Sequence, residues 1–352
     1  MSEVDMAKVE ELAGKVIGEV AGAIGVYMAY LGDQAGIYKV MDENGKMTRD
    51  ELAEKAGIHP IYLREWLGSN AAAGYITYDA ETEQFWLSEE QALVFTREGQ
   101  PACMQGFFQA VIGALGDHEK ALETFRTGKG RPWGDLSTCS ICATDRFFRP
   151  GYEAMLLSDW IPSLEGVEAK LKAGAKVADI GCGYGSSTVL MAKAFPESQF
   201  VGIDIHAPSI EKAKQQAADA GLDNVTFHTG TAQDFDGEGF DFACIFDALH
   251  DMGDPVGAAN QIHKALAQDG TFMLVEPMAG DCLSENMHPL GQIYYGFSTT
   301  MCTPNSLSQD VALGLGAQAG QKRLTEVLSK AGFGNVRRAA ETPTNMVLEA
   351  TA

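Results

Sequence analysis

From residue 177 onward, short apolar runs alternate with stretches of helical period. Residues 177–180, 199–205, 224–228, 240–246 and 274–276 each hold enough contiguous apolar side chains for a buried strand. STVLMAKAF, from Ser187, and PSIEKAKQQAADAG, from Pro208, fall between the first three as helices. Such alternation predicts a parallel sheet flanked by helices, the α/β class. Residues 277–320 follow as a long insertion rich in Ser, Thr and Gly, of the kind that forms lids or binding segments. An amphipathic helix over 321–331 and strands over 336–338 and 346–349 close the chain.

The first half has a different texture. Residues 4–31 place Val4, Leu12, Val16, Ile17, Val20, Ile24 and Met28 on one side of a long helix, a core helix or a dimer-forming one. Thr48 and Glu51 have capping-box spacing at the start of RDELAEKAG, and His59-Pro60 opens a second helix. Strands over 76–78 and 85–87 around the polar turn DAETEQ complete a helix-turn-helix with a β-ribbon. Residues 95–126 are predicted helical with Pro101 in the first turn, 127–142 a loop, and 145–160 a helix interrupted at Pro150-Gly151.

The densest chemical signal is VADIGCGYGSS, residues 177–187. A strand carrying Asp179 runs into Gly181, Gly183 and Gly185, and a helix starts at Ser186. Glycines let backbone N–H groups approach a ligand, and a helix start supplies free donors. Asp204 closes the next strand, about 20 residues on, where an acid can accept both hydroxyls of a ribose. The D-x-G-x-G-x-G turn resembles the first motif of class I S-adenosylmethionine-dependent methyltransferases. That resemblance implies an α/β fold: a Rossmann-like sheet of seven strands, the last antiparallel, behind a mostly helical winged-helix domain. It also implies S-adenosyl-L-methionine as cofactor, held by Asp179, Gly181, Gly183, Gly185, Asp204, Ile205, Thr231, Ala232, Phe246 and Asp247.

Residues 247–255, DALHDMGDP, follow the fourth strand at the sheet edge where α/β folds react. This stretch is similar to the L-H-D-W-S-D segment of winged-helix O-methyltransferases, with Met252 in place of the Trp. The resemblance implies that His250 is a general base, with Asp251 beside it and Glu276, at the end of strand five, as the orienting acid. A hydroxyl acceptor needs its proton removed, which suits a histidine; a thiol needs less help, and a thioether has no proton. A small organic hydroxyl acceptor is therefore favoured, with a thiol or thioether as the alternative. Phe147, Tyr152, His288, Tyr294 and Tyr295 are candidate acceptor contacts. DRFFRPGYEAML, TPNSLSQ and GLGAQAG resemble a bacterial branch with mycobacterial members, which implies a homodimer assembled through the N-terminal domain.

Charge narrows the partners. Acids number 48 against 26 Lys and Arg, a formal charge of −22, which disfavours nucleic acid and anionic membranes. Arg64 on the second helix is offset by Glu65, and the wing is acidic, so a DNA-reading, cofactor-sensing regulator is the minor alternative. The polar N-terminus is not a signal peptide, and no apolar run approaches the ~18 residues of a membrane span; both point to the cytoplasm. Seven cysteines suggest reduced thiols, and Cys139-x-x-Cys142 lacks further ligands at metal spacing, so no metal is expected, with soft-metal capture together with Cys282 or Cys302 as the minor alternative. The expected domains are 1–95 for dimerisation, 96–166 as linker and pocket cap, and 167–352 for catalysis with insertion 277–320.

Overall fold

The computed structural model describes residues 4–351. Two compact units emerge: the chain up to Leu115 with Cys142–Pro150, and Gly116–Ile141 with the chain from Gly151 onward.

In the first unit, α1 (Met6–Gln34) starts where Asp5 accepts the backbone N–H groups of Ala7 and Lys8. Only Gly25, Ala29 and Gly32 of α1 are buried. The helix is long and apolar enough to cross a membrane by length and composition. That corrects the expectation that no run reaches such a length: Ala and Gly between the Val and Ile residues keep an 18-residue window of the helix apolar. Next come α2 (Ile37–Asn44), β1 (Met47–Thr48), α3 (Arg49–Ala56), α4 (Pro60–Ala72), β2 (Thr77–Asp79), β3 (Gln84–Trp86) and α5 (Glu89–Phe95). The Thr48–Glu51 capping box is formed at α3. The ribbon has the order β1-β3-β2, so the residues ahead of α3 supply an edge strand that the periodicity did not reveal.

Tyr38, Trp66 and Phe95 pack ring against ring in this unit's core, with centroids 5.1 and 4.9 Å from Tyr38. The Tyr38 hydroxyl donates to Asn70 Oδ1 at 2.5 Å. The next helix, α6, spans Gln105–Gly116, so Pro101 lies in the turns before it and not in a first helical turn. A half-buried ion pair joins Arg146 to Asp33 at 2.5 Å.

In the chain beyond, α7 (His118–Thr127) precedes α8 (Thr138–Met155). Ser137 caps α8 by accepting the Ser140 N–H. Cys139 and Cys142 are therefore helical, where a loop was expected, and Pro150 sits inside α8 without ending it. A π-helical turn, Leu156–Trp160, follows. The remaining helices are α9 (Val167–Ala173), α10 (Ser186–Ala194), α11 (Ala207–Asp219), α12 (Pro255–Ala265), α13 (Pro289–Phe297), α14 (Thr303–Leu307) and α15 (Gly320–Ala331). The strands are β4 (Lys176–Ile180), β5 (Gln199–Asp204), β6 (Val225–Thr229), β7 (Phe240–Phe246), β8 (Leu266–Pro277), β9 (Asn335–Glu341) and β10 (Asn345–Thr351). They form one sheet of order β6-β5-β4-β7-β8-β10-β9. Strand β10 runs antiparallel to both neighbours, and β4 through β8 are parallel. Phe240, Phe242 and Phe272 are fully buried, as strands covered on both faces require.

Candidate active site

The glycine turn is built on the ends of β4 and β5. Gly181 N and Cys182 N both donate to Ile203 O, at 2.7 and 3.1 Å, which pins the turn over the neighbouring strand. Gly183 (φ 54°) donates its N–H to Asp204 Oδ2 at 2.9 Å, and His206 N donates to Asp204 Oδ1 at 2.8 Å. Each carboxylate oxygen keeps a lone pair for a further donor, such as a sugar hydroxyl. Burial pushes the Asp204 carboxyl above its usual range, against the lowering effect of these two amides.

Asp179 was expected at the cofactor. Its carboxylate is fully buried beneath the turn, where Oδ2 accepts the hydroxyls of Ser187 at 2.8 Å and Thr188 at 2.7 Å. It ties the end of β4 to the start of α10. Burial pushes its pKa up to about 6 in spite of the two hydroxyls.

A cofactor fits this cradle. A Cβ on Gly183 would project into open space, whereas one on Gly185 (φ 77°) would lie 2.8 Å from the Phe227 ring and 2.9 Å from Ala213 Cβ. The two glycines thus serve different ends, one facing the ligand space and one the α10–α11 packing. Ile205 is exposed at the end of β5, Thr231 is exposed and Ala232 half-buried, while Phe246 is buried.

The second part of the site follows β7. Asp247 adopts φ 48°, a left-handed conformation that a non-glycine residue enters at a cost. Asn345 Nδ2 donates to its Oδ1 at 2.6 Å, and its Oδ2 is buried with no hydrogen-bond partner. His250 lies in the 3-10 turn Leu249–Asp251. Strands β7 and β8 pair with Phe246 beside Val275, so Glu276 stands one residue beyond that register and reaches the turn. Glu276 Oε2 lies 2.5 Å from His250 Nδ1, and Oε1 accepts the His250 backbone N–H at 3.3 Å. With Nδ1 bound to a carboxylate, Nε2 is the other ring nitrogen, 3.2 Å from Asp251 Oδ1.

Burial opposes a charge on this ring, but the carboxylates of Glu276 and Asp251 outweigh it and hold the His250 pKa well above the usual value. Asp251 and Asp247 are themselves raised, chiefly by burial.

The insertion holds the His250 turn in place. Ser306 Oγ donates to Met252 O at 2.8 Å, Asn305 Nδ2 to Asp251 O at 3.1 Å, and Gly253 N donates to Gln309 Oε1 at 3.0 Å. All three side chains belong to TPNSLSQ. The buried Cys302 precedes that stretch, and its sulfur lies near His250 and Asp251. Sequence reasoning missed this approach, since nothing local in the chain says where the insertion folds back.

The expected acceptor residues divide. Tyr152 is buried and packs 5.2 Å from the Phe246 ring. Tyr294 is buried and its hydroxyl donates to Thr344 O at 3.0 Å, while Tyr295 is exposed. His288 caps α13 by accepting the Gly291 N–H on Nδ1. Phe147 packs against Phe107 and Phe148 in the first unit.

Residues 171–332 match a family described as "Methyltransferase domain", and residues 22–97 match the "Rv2258c-like winged HTH domain". The chain thus carries a methyltransferase domain over residues 171–332, with a winged-helix domain ahead of it. It is 32% identical over 113 residues to "Uncharacterized methyltransferase YcgJ" of Bacillus subtilis (strain 168), covering 32% of this chain and 44% of that protein. A shorter stretch of 68 residues is 41% identical to a tRNA (guanine-N(7)-)-methyltransferase of Shewanella halifaxensis, covering 19% of this chain and 29% of that protein. The chain thus spans less than half the length of these curated relatives.

Among solved structures, the mitomycin 7-O-methyltransferase MmcR aligns with a TM-score of 0.70 at 19% identity, covering 99% of this chain and 100% of that one. A putative O-methyltransferase from Nostoc punctiforme PCC 73102 gives 0.72 at 16%, with 100% of both chains covered. Human N-acetylserotonin methyltransferase, solved with S-adenosylmethionine, gives 0.72 at 14%, covering 100% of this chain and 99% of that one. These likenesses show a shared fold, and S-adenosyl-L-methionine is the cofactor of the methyltransferase domain. A transcription regulator is not favoured. On α4, Arg64 is paired with Glu65 at 2.6 Å, which cancels the charge a DNA-reading helix would need.

Proposed function

We propose that this methyltransferase methylates a hydroxyl of a small organic acceptor, with His250 as general base and Glu276 as the acid that orients it. The observation that carries this is the 2.5 Å contact between Glu276 Oε2 and His250 Nδ1, which fixes the ring; in its neutral form Nε2 is the proton acceptor, and the raised pKa makes it a strong one. Bound S-adenosyl-L-methionine supplies an activated methyl group. Gly181, Gly183 and Gly185 would cradle its amino-acid portion, Asp204 its ribose, and Ile205, Thr231 and Ala232 its adenine. Phe246 and Asp247 would border the same mouth, and Asp179 would hold the turn from below. His250 Nε2 accepts the acceptor's hydroxyl proton, and the Glu276 charge stabilises the imidazolium that results. Asp251 adds to that stabilisation. Burial of the turn excludes water and fixes geometry, the main requirements for an in-line displacement. Tyr152, Tyr294, Tyr295 and His288 are the acceptor contacts in this proposal.

The proposal includes a cytoplasmic homodimer assembled through the N-terminal domain, with no nucleic-acid or membrane partner. The apolar side chains exposed along α1, among them Leu12, Ile17 and Val20, support it.

The test is release of S-adenosylhomocysteine with phenols, thiols, thioethers and amines as separate acceptor pools. Hydroxyl turnover that falls ~10²–10⁴-fold in His250→Ala is the expected result. Thioether turnover that survives His250→Ala would instead make this a sulfur methyltransferase acting by proximity.

A further inference from the structure

Beside His250 and Asp251 stands a thiol that the methyl-transfer reaction does not use, and the three together form a set of donors. Cys302 ends the π-helical turn Ser298–Cys302 and is buried. Its sulfur, an oxygen of Asp251 and a ring nitrogen of His250 all lie within 4.8 Å of one another. Nδ1 is engaged by Glu276, so the nitrogen available is Nε2, 3.2 Å from Asp251 Oδ1. That oxygen is buried, and its contact with Nε2 lacks hydrogen-bond geometry.

A tetrahedral zinc ion with bonds of 2.0–2.3 Å spaces its ligands roughly 3.3–3.8 Å apart. One pair already has that spacing, and closing the others needs a shift of about 1 Å, within reach of side-chain rotation. The outer partner is also in place. Metal-bound histidines characteristically present their second ring nitrogen to a carboxylate, which is the relation of His250 to Glu276. Asp247, Asp251 and Glu276 crowd around a single histidine, so a divalent cation relieves their mutual repulsion.

We infer that His250 Nε2, Asp251 Oδ1 and Cys302 Sγ form a binding site for one zinc-class divalent ion, with a fourth position open. Binding releases the Cys302 thiol proton and the proton on Nε2 to solvent, and no oxidation is involved. The consequence for turnover rests on the proposed role of His250: an ion on Nε2 occupies the lone pair that would take the acceptor's proton, so zinc inhibits hydroxyl methylation. The binding itself rests only on the three side chains.

The experiment titrates chelator-treated full-length protein with Zn²⁺ against a chromophoric chelator, and with Co²⁺ while watching for thiolate-to-cobalt absorption. One ion per chain with the cobalt band is expected, together with loss of both in Cys302→Ala. Glu276→Gln should weaken the ion by about 10–100-fold. S-adenosylhomocysteine binding by Cys302→Ala, measured calorimetrically, reports that the variant is folded. Failure to bind zinc, zinc binding that survives Cys302→Ala, or binding that disappears in Cys139→Ala/Cys142→Ala would each overturn the site. Those outcomes leave the base untouched, since loss of metal-free hydroxyl turnover in His250→Ala is read separately.

Discussion

Glu276 grips His250 twice: one carboxylate oxygen meets the ring at Nδ1, 2.5 Å away, and the other accepts the backbone N–H of the same residue. Ring orientation and turn position are thereby set by one side chain from the next strand. Glu276→Gln keeps an acceptor in place but removes the charge that stabilises the imidazolium. Hydroxyl turnover should fall by at least tenfold and up to the ~10²–10⁴ of a lost base, with S-adenosylhomocysteine affinity unchanged. Steady-state kcat beside calorimetry checks this, and an unaltered kcat would remove Glu276 from the mechanism.

The two glycines separate ligand space from packing. Gly183→Ala places a methyl group where nothing else stands, so the protein should lose only the ~1–2 kcal/mol of a left-handed alanine while cofactor affinity drops. Gly185→Ala drives a methyl group into Phe227 and Ala213. It should cost several kcal/mol more, with aggregation or a much lower Tm. Thermal melts with and without S-adenosylhomocysteine distinguish them: equal Tm losses in the two variants would contradict this division.

Much of this site was legible because its parts sit at strand ends. Asp204, His250 and Glu276 each close a strand or follow one, and alternating period locates strand ends well. Tertiary return was not legible. Cys302 reaches His250 only because Asn305, Ser306 and Gln309 dock on the turn at 251–253, contacts more than fifty residues apart in sequence. Pro150 misled for a local reason: it marked a helix break by propensity, yet α8 continues through it into the π-helical turn. Asp179 is expected at the cofactor by its place in the motif, but that its Oδ2 accepts the hydroxyls of Ser187 and Thr188 was not legible.

The docking of TPNSLSQ can be tested through Ser306. Its fully buried hydroxyl donates to Met252 O and accepts the Gly314 N–H at 3.1 Å. Ser306→Ala strands both backbone groups at about 1–3 kcal/mol. Tm should fall, and kcat should fall with it because the His250 turn loses an anchor. Cofactor affinity should hold, since Ser306 touches nothing on β4 or β5. A variant with lower Tm but full kcat would show that the turn keeps its geometry without this anchor.

Helix α1 carries exposed Leu12, Ile17 and Val20 on its free turns. If a second copy covers them, Leu12→Glu with Val20→Glu should convert a dimer to a monomer in light scattering without changing the far-ultraviolet helix signal beyond α1. The apolar length of α1 also fits a bilayer, so the wild type should be floated with neutral lipid vesicles in parallel. Co-flotation that the double substitution abolishes would replace the dimer with a membrane.

Asp179 makes stability depend on pH in a direction opposite to that of a salt-bridged acid. Its folded pKa is about 6 and its unfolded value 3.8, so between these limits the native state binds the extra proton. Stability from this group is present at low pH and is lost as pH rises through about 6, a change of about 3 kcal/mol between those two limits. Asp179→Asn cannot titrate and still offers an oxygen to Ser187 and Thr188. The Tm difference, wild type minus variant, should therefore decline between pH 4 and pH 6 and stay level above, with all other titrations cancelling. A difference that is flat or rising over that interval would mean that Asp179 stays ionised beneath the turn. The carboxylate would then have found a partner for Oδ1, which the structure leaves buried with none.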